Sequence, residues 1–160
     1  MHVPCFTYRY YFSPTDTGQG TKIFTKTGKV IVNCPEQQLT NGRNKNNRTN
    51  YVYKKAVRIL KRIENAMVVD SVHRELPSYF MECLAYNCPD SVFTEPTWIA
   101  TIRGMLGHIW TSLQGEEPTD SSVRWLEANA CFYLFHDDQK WKRSDGREFA
   151  HAAWNYLGFT

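Results

Sequence analysis

No stretch of this 160-residue sequence is apolar enough to cross a bilayer, and no signal-peptide pattern stands at its start. Neither a membrane partner nor export is therefore expected. The five cysteines (Cys5, Cys34, Cys83, Cys88, Cys131) contain no CxxC pair. Their odd number and scattered spacing exclude a disulfide scaffold, so reduced thiols in the cytoplasm are the expected state. The histidine nearest Cys83 and Cys88 is His73, which is not at zinc-ligand spacing, and no metal site is expected there. Internal repeats and low-complexity tracts are absent, which excludes solenoids and linkers. Excess charge is missing too. The 19 Lys+Arg and 16 Asp+Glu leave only +3, too little to imply specific nucleic-acid binding.

What remains is the composition of one ordinary folded domain, 42% hydrophobic and 14% aromatic. Four of the five tryptophans lie beyond position 100, which places the expected core in the C-terminal two-thirds. Residues 1–34 read as strands. FTYRYYF at 6–12 is rich in β-favouring aromatics, a turn-forming stretch follows at 14–20, and KIFT and KVIVN join across TKTGK, with Gly28 at the turn of a hairpin. CPEQQLTNGRNKNNRTN, at 34–50, is expected to be a polar loop.

From Tyr51 the period becomes helical. Val52, Ala56, Leu60, Ile63 and Met67 form one apolar stripe, with Lys54, Arg58, Lys61 and Arg62 on another side. A second helix is predicted from Leu76 to Asn87, with Pro77 in its first turn and Cys88-Pro89-Asp90 ending it. A third begins near Pro96 and carries Trp98, Ile102, Met105, Leu106, Ile109 and Trp110. A fourth is expected after Ser121 or Ser122, with Phe132, Leu134 and Phe135 at its far end. A last helix spans about 146–157, with Gly158 at a left-handed C-cap. The fold class is α+β: a short β segment with a polar loop (1–50), then a helical bundle (51–160).

One local absence points to chemistry. Between Asn41 and Arg62 stand eight basic residues and no acid. A basic segment running into a helix with Lys54 and Lys55 near its start can grip an anion. Pro77-Ser78-Tyr79 opens the next helix with free N–H groups, a hydroxyl and a ring that can stack on a base. By pattern alone these are more often solvated lysines, a helix cap and a core or rim tyrosine.

The stretch IVNCPEQQLTNGRNKNNRTNYVYKKAVRILKRI, then LPSYFMECLAYNCPDSVF, a spaced Trp125–Glu127–Asn129, Tyr133-Leu134-Phe135, Gln139 with Trp141, and AWNYLGF are together similar to the bacterial cyclic-oligonucleotide synthases. These are the nucleotidyltransferases of anti-phage signalling, related to oligoadenylate synthase and cyclic GMP-AMP synthase. The likeness runs from about residue 3 to the end and covers only the second half of the family's domain. It implies that residues 1–50 include a remnant of the family's mixed sheet. It also implies that 52–68 belong to the long helix spanning both lobes. On that helix Lys54, or else Lys55, takes the triphosphate-binding position. Ser78 then touches phosphate, Tyr79 stacks on the base, and Lys45 and Asn46 lie near the cleft.

Such enzymes join ATP, GTP or other nucleoside triphosphates with Mg²⁺. The resemblance places their Gly-Ser element and paired carboxylates upstream of Met1. The third carboxylate precedes a V-P-C-like sequence, found here as Val3-Pro4-Cys5. Alone, this chain is expected to bind nucleotide without joining it and to need a complementary N-terminal half or another chain. The alternative is a stand-alone nucleotide-binding or regulatory module. Asp137 and Asp138 read as solvent-facing turn residues and His108 as a hydrogen-bonded, partly buried histidine. Cys83 and the tryptophans read as packing.

Overall fold

The computed structural model describes residues 5–11 and 13–160, so Val3, Pro4 and Phe12 fall outside the described residues. Three strands, β1 (Phe6–Tyr11), β2 (Thr17–Phe24) and β3 (Val30–Asn33), form an antiparallel sheet in the order β1-β2-β3. The expected hairpin closes with Thr25 N donating to Lys29 O at 2.8 Å and Gly28 in the left-handed region (φ 81°). Five helices follow: α1 (Pro35–Arg48), α2 (Tyr53–Val69), α3 (Ser78–Asn87), α4 (Trp98–Ser112) and α5 (Arg143–Tyr156). The predicted α+β class, sheet first and helices after, is the observed one.

The sheet joins the helices through Gly20. A Cβ there would stand 2.6 Å from the Asn33 carbonyl oxygen and 3.1 Å from Cys34 Sγ. Backbone cannot yield as a side chain does, so Gly20→Ala is expected to destabilise the chain by about 1–3 kcal/mol. Thermal unfolding measures this, and an unchanged midpoint would mean that the contact is looser than the geometry indicates.

The segment expected to be a polar loop at 34–50 is instead α1. Thr40, Asn41, Gly42, Asn44, Asn46 and Asn47 are poor helix formers, and periodicity gives little warning because the buried side of the helix is polar: Gly42, Lys45 and Asn46. Tertiary partners hold it. The helix begins at Pro35, has Glu36 in its first turn, and ends on Lys45 and Arg48, all favourable to its dipole. Asn50 (φ 49°) then takes the left-handed position after the helix, with Tyr51 N bonded to Asn46 O and Asn50 N to Asn47 O. Tyr51 also has positive φ (64°), so two left-handed residues make the sharp turn into α2.

The side chains at the end of α1 cap α2. Thr49 Oγ1 accepts from Tyr53 N (3.2 Å) and Asn46 Oδ1 from Lys54 N (3.1 Å). The predicted apolar stripe of α2 is packed inward: Ala56, Leu60 and Met67 are fully buried beside Tyr53, Val57 and Ile63.

The fourth predicted helix is absent. After a single 3₁₀ turn (Ser121–Val123) the chain doubles back as an irregular hairpin, with Glu127 N bonded to Phe132 O, Leu134 N to Trp125 O, and Ala130 left-handed at the tip. Asn87 overrides helical propensity here. Its side-chain amide donates to Leu126 O (2.7 Å) and accepts from Leu126 N (3.1 Å), occupying the backbone groups that a helix would use.

At the last helix Gly158 (φ 67°) makes the expected cap, with Gly158 N on Asn155 O and Phe159 N on Trp154 O. The core lies among the helices, around Phe80, Phe93, Phe149, Met105 and Ile109. Trp125 and Trp141 belong to it. Trp98 and Trp110 do not, being 45% and 40% exposed. Trp98 is the first residue of α4, and Trp110 lies roughly 80° round the helix from Ile102, outside the buried arc.

Candidate functional site

Helices α2 and α3 run antiparallel. The Lys61–Glu82 ion pair (3.7 Å) joins their middles, and Glu64 Oε1 accepts from Leu76 N just before α3 begins. On α2, Lys54, Arg58 and Lys61 recur at i, i+4 and i+7 and form one basic stripe, with Lys54 and Arg58 exposed and Lys61 half-buried. The stripe leads from the α1–α2 turn toward the first turn of α3. Lys54 and Ser78 nevertheless stand at opposite ends of it, roughly 16 Å apart along the helix axes at 1.5 Å per residue. Lys61, not among the site residues expected from the sequence, is the α2 lysine nearest the start of α3. Lys55 is exposed one position round from Lys54.

The start of α3 carries no side-chain cap, and Pro77 and Ser78 are exposed. Phe80 N and Met81 N turn back onto Pro77 O, so the N–H groups left over at this start are those of Ser78 and Tyr79, with the positive end of the helix dipole behind them. Tyr79 is half-buried beside them. Its ring packs edge-on against Trp141 (6.4 Å between centroids), and its hydroxyl donates to Glu127 Oε2 (3.2 Å). Burial drives the Tyr79 hydroxyl pKa up, with the nearby Cys83 and Glu127 adding to it, so this group stays protonated and donating. Next to Trp141 a shallow cleft of about 480 Å³ opens, lined among others by Phe135, His136, Gln139, Lys142 and Arg147.

Lys45 and Asn46, expected near a cleft, are turned to the interior. Lys45 Nζ lies 2.8 Å from both Asp90 Oδ1 and the Cys88 carbonyl oxygen, with the rings of Tyr53, Tyr86 and Phe93 between 5.2 and 5.8 Å away. Its charge is fully engaged within the fold. Asn46 is buried and caps α2, so it acts on Lys54 through the helix start.

Three residues that matter here had no site role in the sequence reading: Asp90, which also takes Arg48 Nε at 2.8 Å, Asn87 and Glu127. Only their spacing from the Cys88-Pro89 stop and within the Trp125–Glu127–Asn129 pattern marked them. Asp137 and Asp138 are exposed, as expected. Cys83 is fully buried, and burial pushes its thiol up to about 12, which leaves it inert. His108 stacks on Trp125 (5.9 Å) and is held below its ordinary pKa by burial.

Residues 40–158 match the family described as the cGAS/DncV-like nucleotidyltransferase C-terminal helical domain. The chain is 31% identical to the cyclic dipyrimidine nucleotide synthase CdnE of Legionella pneumophila, over 97% of this chain and 52% of that protein. It is 30% identical to the cyclic dipurine nucleotide synthase of Elizabethkingia meningoseptica, over 98% of this chain and 53% of the relative. The chain thus spans about half the length of the curated relatives it matches. Among solved structures, Elizabethkingia meningoseptica CdnE with GTP and Apcpp superposes with a TM-score of 0.86 at 30% identity, covering 98% of this chain and 57% of that one. Rhodothermus marinus CdnE c-UMP-AMP synthase with Apcpp and Upnpp gives 0.81 at 26% identity, covering 97% and 53%. On this match the chain belongs to the cGAS/DncV-like nucleotidyltransferases and corresponds to the C-terminal portion of the cyclic-nucleotide synthases among them.

Proposed function

We propose that this chain is the nucleotide-holding C-terminal portion of a synthase that makes cyclic or linear oligonucleotide second messengers from nucleoside triphosphates, in cytoplasmic anti-phage signalling. The observation that carries the reading is the uncapped start of α3, with exposed Ser78 and half-buried Tyr79 together at the end of a basic stripe. Ser78 and the free N–H groups suit a phosphate, the Tyr79 ring suits a base, and Lys61, Arg58, Lys54 and Lys55 supply positive charge along α2. Lys45 and Asn46 act behind this face, holding α1 and the start of α2.

Joining nucleotides in such a synthase draws on Mg²⁺. Among the described residues no group of three or more His, Cys, Asp or Glu is placed to hold a metal ion. The described residues therefore do not fit that group. In this reading the metal comes with carboxylates on a complementary N-terminal half. The sheet supports such a partner: Phe6, Tyr11, Phe24, Val30 and Ile31 are exposed on or beside edge strands, where a further strand can pair.

The test is a titration with non-hydrolysable ATP and GTP analogues, followed by incubation with ATP, GTP and Mg²⁺. Saturable binding without a joined product is expected from the chain alone. Ser78→Asp, which sets a negative charge against a phosphate, is expected to weaken binding at least tenfold, about 1.4 kcal/mol. Product formed by the chain alone, or affinity unmoved by Ser78→Asp together with Lys61→Glu, would overturn the proposal.

A further inference from the structure

The Trp125–Glu127–Asn129 and Gln139/Trp141 patterns are not used by the nucleotide face itself, yet the fold gathers Glu127, Asn129, Gln139 and Trp141 behind Tyr79. Glu127 is only 7% exposed. Among the described residues no lysine or arginine pairs with it, and the one group there able to carry positive charge nearby is His136, with Nε2 at 4.0 Å. Its oxygens are met instead by three neutral donors: the Tyr79 hydroxyl (3.2 Å), Asn129 Nδ2 (2.7 Å) and Gln139 Nε2. Asn129 is itself fixed by accepting from Cys131 N at 2.8 Å.

A buried carboxylate without a cation is costly to keep, and a purely space-filling role would be met at lower cost by an apolar side chain. What the carboxylate adds is a directional acceptor. Trp141 limits the plane of the Tyr79 ring from one side, and it is itself stacked on Phe80 (5.0 Å) and tied through Nε1 to Leu134 O. A ring contact alone leaves the tyrosine free to slide. The hydroxyl bond to Glu127 removes that freedom.

We propose that Glu127 is a positioning residue: with Asn129 and Gln139 holding it, it fixes the pose of the Tyr79 ring beside Ser78. This rests on the reading of Tyr79 as the base-stacking group. Pre-set orientation lowers the entropy lost on binding, so the effect should appear in nucleotide affinity.

The experiment compares the wild-type chain with Glu127→Met, which removes the acceptor oxygens, Tyr79→Phe and the double variant. Two readouts are taken: ring-to-ring proton contacts between position 79 and Trp141 by NMR, and affinity for the non-hydrolysable ATP and GTP analogues. Loss or shift of the ring contacts in both single variants is expected. Nucleotide binding should weaken about tenfold in each, with the double variant no weaker than either, because both cut one tether. Ring contacts unchanged in either single variant would overturn the proposal. So would a lowered unfolding midpoint with affinity intact, the mark of a merely structural role. Should Glu127→Met fail to fold, Tyr79→Phe cuts the tether without touching the carboxylate and decides alone. If the wild-type chain binds no nucleotide, the reading of the face fails, and the ring contacts still decide whether Glu127 holds Tyr79.

Discussion

Asp90→Ala is expected to lower the thermal unfolding midpoint by about 6–20 °C, the equivalent of about 3–5 kcal/mol. The reason is an asymmetry in one ion pair. The Lys45 side chain is 5% exposed and that of Asp90 is 38% exposed. Removing the carboxylate leaves a buried ammonium with only the Cys88 carbonyl and three ring faces for company. Lys45→Met is the informative counterpart. It keeps apolar volume between the rings and leaves Asp90 with Arg48 and water, so its cost should fall to about 1–3 kcal/mol for the orphaned carbonyl. Equal damage from the two changes would contradict the asymmetry.

Acid sharpens the same test. Burial pushes the Asp90 carboxyl up, but the hydrogen bonds from Arg48 and Lys45 outweigh it, and the net pKa lies below the ordinary carboxylate value. The pair's contribution is therefore fully present above that ordinary value and is lost as pH falls through the depressed one. The Asp90→Ala variant should lack this loss on acidification.

Phe80→Ala should have an effect of similar size, about 3–5 kcal/mol. Phe80 is fully buried, stacked on Trp141 at 5.0 Å and edge-on to Phe135 at 6.2 Å. The neighbours cannot easily close the gap, because Gly146 already brings α5 close: a Cβ there would lie 3.4 Å from Phe80 Cζ and 2.6 Å from Leu113 Cδ1. The consequence reaches the surface, since Trp141 braces Tyr79. Loss of stability is read by thermal unfolding, and a midpoint within a few degrees of wild type would mean that the site collapses well. Nucleotide affinity in the surviving folded fraction should fall as well.

The parts of this fold that were legible in the sequence are those where apolar period and chain punctuation agree. The stripe from Ala56 to Met67, the Pro77 start, the Cys88-Pro89 stop and the Gly158 cap each appear where expected. α1 was missed because its inward side is built from Lys45, Asn46 and Gly42, which a hydrophobic pattern cannot register. The Cys34-Pro35-Glu36 start and the Asn50 stop were the available signals, and they are weak without partners such as Asp90 in view. The fourth helix was overpredicted for the converse reason: side-chain bonds from Asn87, far away in sequence, claim the backbone of Leu126.

The candidate site divides along the same line. Ser78 and Tyr79 were marked by their place at a helix start. Lys54 was named from the family resemblance, and the sequence alone does not reveal that Lys61 is the α2 lysine level with α3.

A residue-resolved NMR titration of the chain with a non-hydrolysable GTP analogue tests the central claim most directly. The account predicts saturable shifts at Ser78, Tyr79 and Lys61, extending along Arg58 toward Lys54, with Lys45 unmoved in its ring cage. Shifts confined to the cleft of His136, Lys142 and Arg147, or no saturable shift at Ser78 and Tyr79, would contradict it.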